Sequence, residues 1–296
     1  MEQLRGAGVA LITPFKEDGA VDVEALAKIV AHCQKGGIDY LVALGTTAES
    51  VTLTKEEKQT VLDTIVVANN GVLPLVVGVG GNDTMAVVRE LQTLDLRDFC
   101  AILSVSPYYN RPTQEGIYQH FKAISEASPL PIIIYNVPAR TGSNLLAGTT
   151  VRLAKDFGNI VAVKEASGNM VQVMEIVQEK PSDFMVLSGD DITALATILA
   201  GGEGVISVIG QGLPQEFSQM VRLGLAGSVK EAYQQQYLLT SGMHLIFEEG
   251  NPAGIKAILE LLGLGKADVR LPLIAASAGL KKKLRVFVNS ISRIPA

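Results

Sequence analysis

Apolar residues in this chain gather into short, near-continuous runs rich in Val and Ile: GVALITPF, IDYLVALG, LPLVVGVG, FCAILSVSPY, LPIIIYNV, NIVAVKEA, FMVLSGDD and GVISVIGQ. A strand with one wet face alternates apolar and polar residues, so eight runs of this kind predict strands covered on both faces. Between successive runs the apolar positions fall at helical spacing, as at Leu26, Ile29, Val30 and Cys33, which share one face. Start signals mark the boundaries. Thr54 with Glu57 makes a capping box, and Asn82 is placed to cap the helix that follows Gly80 and Gly81. Eight strand and helix units in succession predict an α/β fold, a (β/α)8 TIM barrel. A doubly wound open sheet is the rival architecture, but no G-x-G-x-x-G follows the first strand.

The eighth run ends at Gln211 of 296 residues, so the chain continues well past a barrel. From Pro214 onward it reads as helices only, with an apolar face at Ile255, Ile258, Leu259 and Leu262. The expected division is a barrel over residues 1–225 and a C-terminal helical extension over 226–296. No low-complexity linker separates them, which predicts that the extension packs on the barrel.

Composition narrows the function. Hydrophobic residues make up 48% and charged residues 19%, which excludes a disordered chain. The 30 acidic and 25 basic residues leave a formal charge of −5, with the acidic excess spread along the chain rather than collected in a tail, so neither nucleic acid nor an anionic membrane is an expected partner. The N-terminus MEQLRGAGVALITPF lacks a basic stretch followed by a long apolar run, and a cytoplasmic location is expected. Cys33 and Cys100 lie in apolar segments and read as reduced core thiols; His32, His120 and His244 have no metal-ligand spacing, so no metal is expected.

In a barrel, chemistry is placed at the carboxyl ends of the strands. Lys164 stands there, and the period of two puts it on one face with Ala162 and Ala166, opposite Val161, Val163 and Glu165. Small neighbours leave room for a ligand, and an apolar surround disfavours the ammonium form, leaving an amine that is nucleophilic toward carbonyl carbon. Taken alone, the residue reads first as an ion-paired lysine at a strand end. Tyr135 also ends a strand and offers a phenol able to give and take a proton, or a packed ring. Thr46 and Thr47 are suited to hold a small carboxylate or to cap a turn. Arg140, in Pro-Ala-Arg-Thr-Gly, is either a bidentate carboxylate clamp or a surface ion-pair former. Of the adjacent Tyr108 and Tyr109, one can pack while the other reaches a site or a neighbouring subunit.

Taken together, G-T-T-A-E-S, P-Y-Y-N-R-P, Y-N-V-P-A-R-T-G, V-K-E-A-S-G-N, S-G-D-D and G-V-I-S-V, in that order, resemble the pyruvate-dependent class I lyases and aldolases. Among these the closest likeness is to the 4-hydroxy-tetrahydrodipicolinate (dihydrodipicolinate) synthases, over nearly the whole chain. The resemblance implies that Lys164 forms an imine with pyruvate, that Tyr135 carries the proton, and that Thr46 and Tyr109 complete a relay, Tyr109 coming from a neighbouring subunit. It implies further that Thr47 holds the pyruvate carboxylate, that Ile206 lines the pyruvate pocket through its backbone, and that Arg140 receives the carboxylate of L-aspartate 4-semialdehyde. The implied reaction condenses pyruvate with that aldehyde in lysine and diaminopimelate biosynthesis, without cofactor, in a homo-oligomer that is a tetramer or a dimer. Two different readings compete with it. Lys164 could instead carry pyridoxal phosphate, which a visible absorbance band would reveal, or the chain could be a catalytically silent sensor, which turnover assays would expose.

The chain departs from the family pattern in two places. Ala48 stands where glycine is usual, and its methyl group disfavours positive φ at that position. Lysine-inhibited members are matched at Ser50, Asn82 and Tyr108, but Lys55, Lys58 and Ala86 replace their usual histidines and glutamate, which predicts weak feedback by L-lysine.

Overall fold

The computed structural model describes residues 2–291. Each of the eight apolar runs meets one strand, the first of which begins two residues ahead of its run: β1 Gly6–Ala10, β2 Tyr40–Ala43, β3 Leu75–Gly78, β4 Ala101–Val105, β5 Ile132–Asn136, β6 Ile160–Glu165, β7 Met185–Ser188 and β8 Gly204–Ser207. They pair in parallel in chain order, and β8 closes on β1 through the Gly6–Gly204 to Val9–Ser207 register. Helices on the outside bury the other strand face, so neither face meets water and the near-continuous apolar runs are explained.

The helix Val23–Lys35 shows the outer layer's logic. Leu26, Ile29, Val30 and Cys33 are buried on its inner face, and Asp22 caps its start by accepting from the Ala25 amide. Cys100, by contrast with Cys33, is only partly buried, just before β4. The capping box at Thr54 and Glu57 forms as its spacing predicts. At the next helix, Thr84–Thr93, the cap is Asp83 rather than Asn82, because the Asp83 carboxylate reaches the amides of Met85 and Ala86. Asn82 instead donates to the Tyr108 carbonyl at 3.0 Å, tying the β3 loop to the β4 loop.

Inside the barrel a second core runs from Leu4 and Tyr40 at the base through Val42, Val76, Leu103, Ile133 and Leu187 to Tyr135 and Ile206 near the top. Tyr40 closes the lower part. A Cβ at Gly8 would lie 2.2 Å from its ring, so only glycine fits opposite it, and its hydroxyl donates to the Val205 carbonyl at 3.1 Å. The first and last strands are shorter than their apolar runs. Beyond Ala10 the Ile12 amide bonds to the Gln211 side chain instead of a strand, and beyond Ser207 the Val208 and Ile209 amides are taken by the Asp191 carboxylate.

After β8 the helix Pro214–Leu225 packs against β1 and β8, and the helices Val229–Leu245, Ala253–Leu261 and Ala278–Ile291 follow. Ile255, Ile258 and Leu259 are buried as their spacing predicts, whereas Leu262 caps the helix end and is 36% exposed. Gly242 lets two of these helices approach closely: a Cβ there would lie 2.2 Å from the Phe287 ring.

Candidate active site

Lys164 projects from β6 into the barrel beside Ala162, while its neighbour Glu165 points outward, accepting from Asn136, Gln172 and the Ser167 amide. The lysine is 5% exposed. Its stem lies against Gly189, just beyond β7, where a Cβ would come within 3.0 Å of Lys164 Cε and 2.6 Å of Ala166 Cβ. Small residues on two strands thus clear a slot for a long side chain. Nζ makes no hydrogen bond among the described residues and lies 4.3 Å from the centroid of the Tyr135 ring. Burial lowers its pKa to about 8; the Asp191 carboxylate pulls the other way, and the Arg140 guanidinium adds to the lowering.

Tyr135 sits beside Lys164 in the β5–β6 register and is itself buried. Burial raises its phenol above the usual value, opposed by the Arg140 charge and a hydrogen bond with the Thr46 side chain. Thr46, Thr47 and Ala48 form one 3-10 turn after Gly45. Positive φ in this loop falls on Leu44 and Glu49, both at 53°, and not on Ala48. The Ala48 methyl is simply buried, so the concern over glycine's absence does not apply.

Thr46, Tyr135 and Arg140 share the wall of a cavity of about 300 Å³, to which Tyr108, Ser50 and Lys58 also contribute. That volume suits a small ligand. Arg140 lies on a four-residue helical turn, Pro138–Thr141, and its guanidinium forms no ion pair among the described residues. Lys164, Thr47 and Ile206 are buried and do not form part of this wall; Lys164 touches the Tyr135 ring that does. Tyr109 stands apart. It is 89% exposed, outside the cavity, with φ at 73°, and Arg111 two residues on has φ at 47°. Two non-glycine residues in left-handed backbone so close together mark a strained loop.

The residue pattern pointed to no role for Asp191, Asn251 or Gly189. Asp191, in S-G-D-D, is 2% exposed, and burial raises its carboxyl to about 6 despite hydrogen bonds from the Ser207 side chain and the Ile209 and Val208 amides. Its charge opposes the lowering of the Lys164 pKa. Asn251 donates to the Thr47 hydroxyl at 3.0 Å across 204 residues of chain, a distance over which local spacing carries no signal. No group of three or more His, Cys, Asp or Glu is gathered to hold a metal among the described residues, and no described helix is long and apolar enough to cross a membrane.

The chain is similar to known proteins over nearly all its length. It is 58% identical over 293 residues to the 4-hydroxy-tetrahydrodipicolinate synthase of Flavobacterium psychrophilum, covering 99% of this chain and 100% of that one. To the protein of the same name from Parabacteroides distasonis it is 50% identical over 289 residues, covering 98% and 97%. Among solved structures, the chloride-inhibited dihydrodipicolinate synthase from Acinetobacter baumannii complexed with pyruvate superposes with a TM-score of 0.95 at 36% identity, covering 98% and 100%. The Aquifex aeolicus dihydrodipicolinate synthase gives 0.93 at 38% identity, covering 98% of each chain. The Dihydrodipicolinate synthetase family matches residues 3–291. With a closed parallel barrel, a desolvated lysine at the end of β6 and similarity along the full chain, this protein belongs to the dihydrodipicolinate synthetase family.

Proposed function

We propose that this chain condenses pyruvate with L-aspartate 4-semialdehyde to give 4-hydroxy-tetrahydrodipicolinate, the step that opens the diaminopimelate branch of lysine biosynthesis, in the cytoplasm. The observation that carries this reading is the buried, unbonded Lys164 amine against Tyr135, in a chain similar end to end to synthases of this name.

Lys164 Nζ, as free amine, attacks the keto carbon of pyruvate and forms a carbinolamine. Tyr135 supplies a proton to the departing hydroxyl, water leaves, and a protonated imine remains. That cation is the electron sink: the methyl carbon loses a proton and becomes the nucleophilic end of an enamine. Carbon–carbon bond formation follows at the aldehyde carbon of the semialdehyde, whose oxygen takes up a proton. The amino group of the second substrate then adds to the imine carbon, closes the ring and releases Lys164 as the amine. One water is expelled for each product formed, and no electrons are exchanged with any other group.

Thr46 hydrogen-bonds Tyr135 and passes its proton toward solvent. Thr47 holds the pyruvate carboxylate, and the Ile206 backbone borders the methyl and keto group. The guanidinium of Arg140, free on the cavity wall, receives the carboxylate of the semialdehyde. Tyr109 acts in a neighbouring subunit's relay. In support, its ring is exposed on a strained loop of a chain whose other large aromatic rings are mostly buried. A homo-oligomer, dimer or tetramer, is required for that contribution. Asp191 restrains how far Lys164 is deprotonated and stabilises the imine cation once formed.

The test is borohydride reduction in the presence of pyruvate followed by peptide mass analysis. A single reduced adduct at Lys164 is the expected result. Reduction at another lysine, or none at all, sinks the mechanism.

A further inference from the structure

The threonine turn does not hold itself in place. Thr47 is 3% exposed, and among the described residues the one hydrogen bond to its hydroxyl comes from Asn251, whose Nδ2 donates to Thr47 Oγ1 at 3.0 Å. Glu49, at φ 53° immediately after the turn, is fixed by the same distant segment. Its Oε1 accepts from Lys256 Nζ at 2.5 Å and its Oε2 from the Arg270 amide at 2.9 Å, while Lys256 also donates to the Asp268 carbonyl at 2.7 Å. Both members of the Lys256–Glu49 pair are buried. Every one of these anchors comes from beyond the barrel.

A hydroxyl has one hydrogen and two lone pairs. Because Asn251 occupies a lone pair, the Thr47 hydrogen stays free, with no acceptor among the described residues. Asn251 Oδ1, meanwhile, is buried with no hydrogen-bond partner. With the amide so placed, Asn251 does not take up the Thr47 proton, which is left for a ligand.

We infer that Asn251 is a positioning residue for the pyruvate carboxylate, turning the Thr47 hydroxyl into a committed donor, with the Lys256–Glu49 pair holding the turn in register. The inference rests on the reading of Thr47 as the residue that binds that carboxylate. It assigns to the C-terminal extension a part in substrate recognition as well as in packing.

The test measures steady-state kinetics of the full-length enzyme with Asn251→Ala and the isosteric Asn251→Asp, alone and combined with Thr47→Val. Loss of a hydrogen bond to a charged group is expected to raise KM for pyruvate about tenfold in either single variant, with Asp the worse because it adds repulsion toward a carboxylate. KM for the semialdehyde and kcat at saturating pyruvate should stay within about twofold. In the Thr47→Val background, Asn251→Ala should add nothing further, since Asn251 acts through that hydroxyl. Unchanged pyruvate KM in Asn251→Asp, or effects that add in the double variant, overturns the inference while leaving the activity intact. If the wild-type enzyme traps no pyruvate on Lys164, the activity reading falls and takes this one with it.

Discussion

The pH dependence of imine formation follows directly from the surroundings of Lys164. Burial lowers its pKa from the ordinary 10.5 to about 8. At pH 7 that leaves roughly one amine in eleven uncharged, against roughly one in 3,000 for an exposed lysine, a gain of about 300-fold in the attacking species. The perturbation is pH itself, from 6 to 10, at subsaturating pyruvate, with samples quenched into borohydride at fixed times and the Lys164 peptide quantified. The rate should rise about tenfold per pH unit below the inflection near pH 8 and level off above it, because the neutral form is the nucleophile. Substitutions give the sign a second check. Asp191→Asn removes the carboxylate that favours the ammonium, so the inflection moves to lower pH; Arg140→Ala removes a cation that disfavours it, so the inflection moves higher. A rate still climbing past pH 10, or shifts of the opposite sign, would refute the claim that desolvation creates the nucleophile.

Other outcomes are equally concrete. Arg140→Ala should weaken semialdehyde use by about 10- to 100-fold while pyruvate trapping at neutral pH falls far less; equal losses in both would remove its assignment as the clamp. Lys256→Met strands the buried Glu49 carboxylate and should cost about 3 to 5 kcal/mol in urea unfolding, with Lys256→Met/Glu49→Gln recovering part of it. An undiminished unfolding midpoint in the single variant would contradict the geometry. Lys58 and Glu90 both border the cavity, and their opposite charges leave no net attraction for a cationic effector. Inhibition by L-lysine should therefore be weak, and half-inhibition at sub-millimolar concentration would disprove it.

Much of the architecture was legible because two periodicities carried it. Apolar runs with no alternation identified all eight strands, and i, i+3, i+4 spacing located the helix that buries Leu26 through Cys33. Strand ends were harder to read. GVALITPF and GVISVIGQ are continuous in hydrophobicity but stop being strands where side chains of Gln211 and Asp191 claim the next amides. Asn82 and Asp83 are both competent caps, and position relative to the Met85 and Ala86 amides decided between them. In the site, the face shared by Ala162 and Lys164 was readable from the period of two. The slot at Gly189 and the hydrogen bond between Asn251 and Thr47 were not, since both join residues from different elements.

Anchoring of the turn at residues 46–49 by Asn251, Lys256 and Arg270 has a consequence for synthesis on the ribosome. A nascent polypeptide that has released all eight strands has not yet released any of these three side chains. Premature termination after Leu225 would thus yield a product equipped with Lys164 and Tyr135 but with its threonines untethered. The threonine turn receives its tethers only with the last stretch of translation.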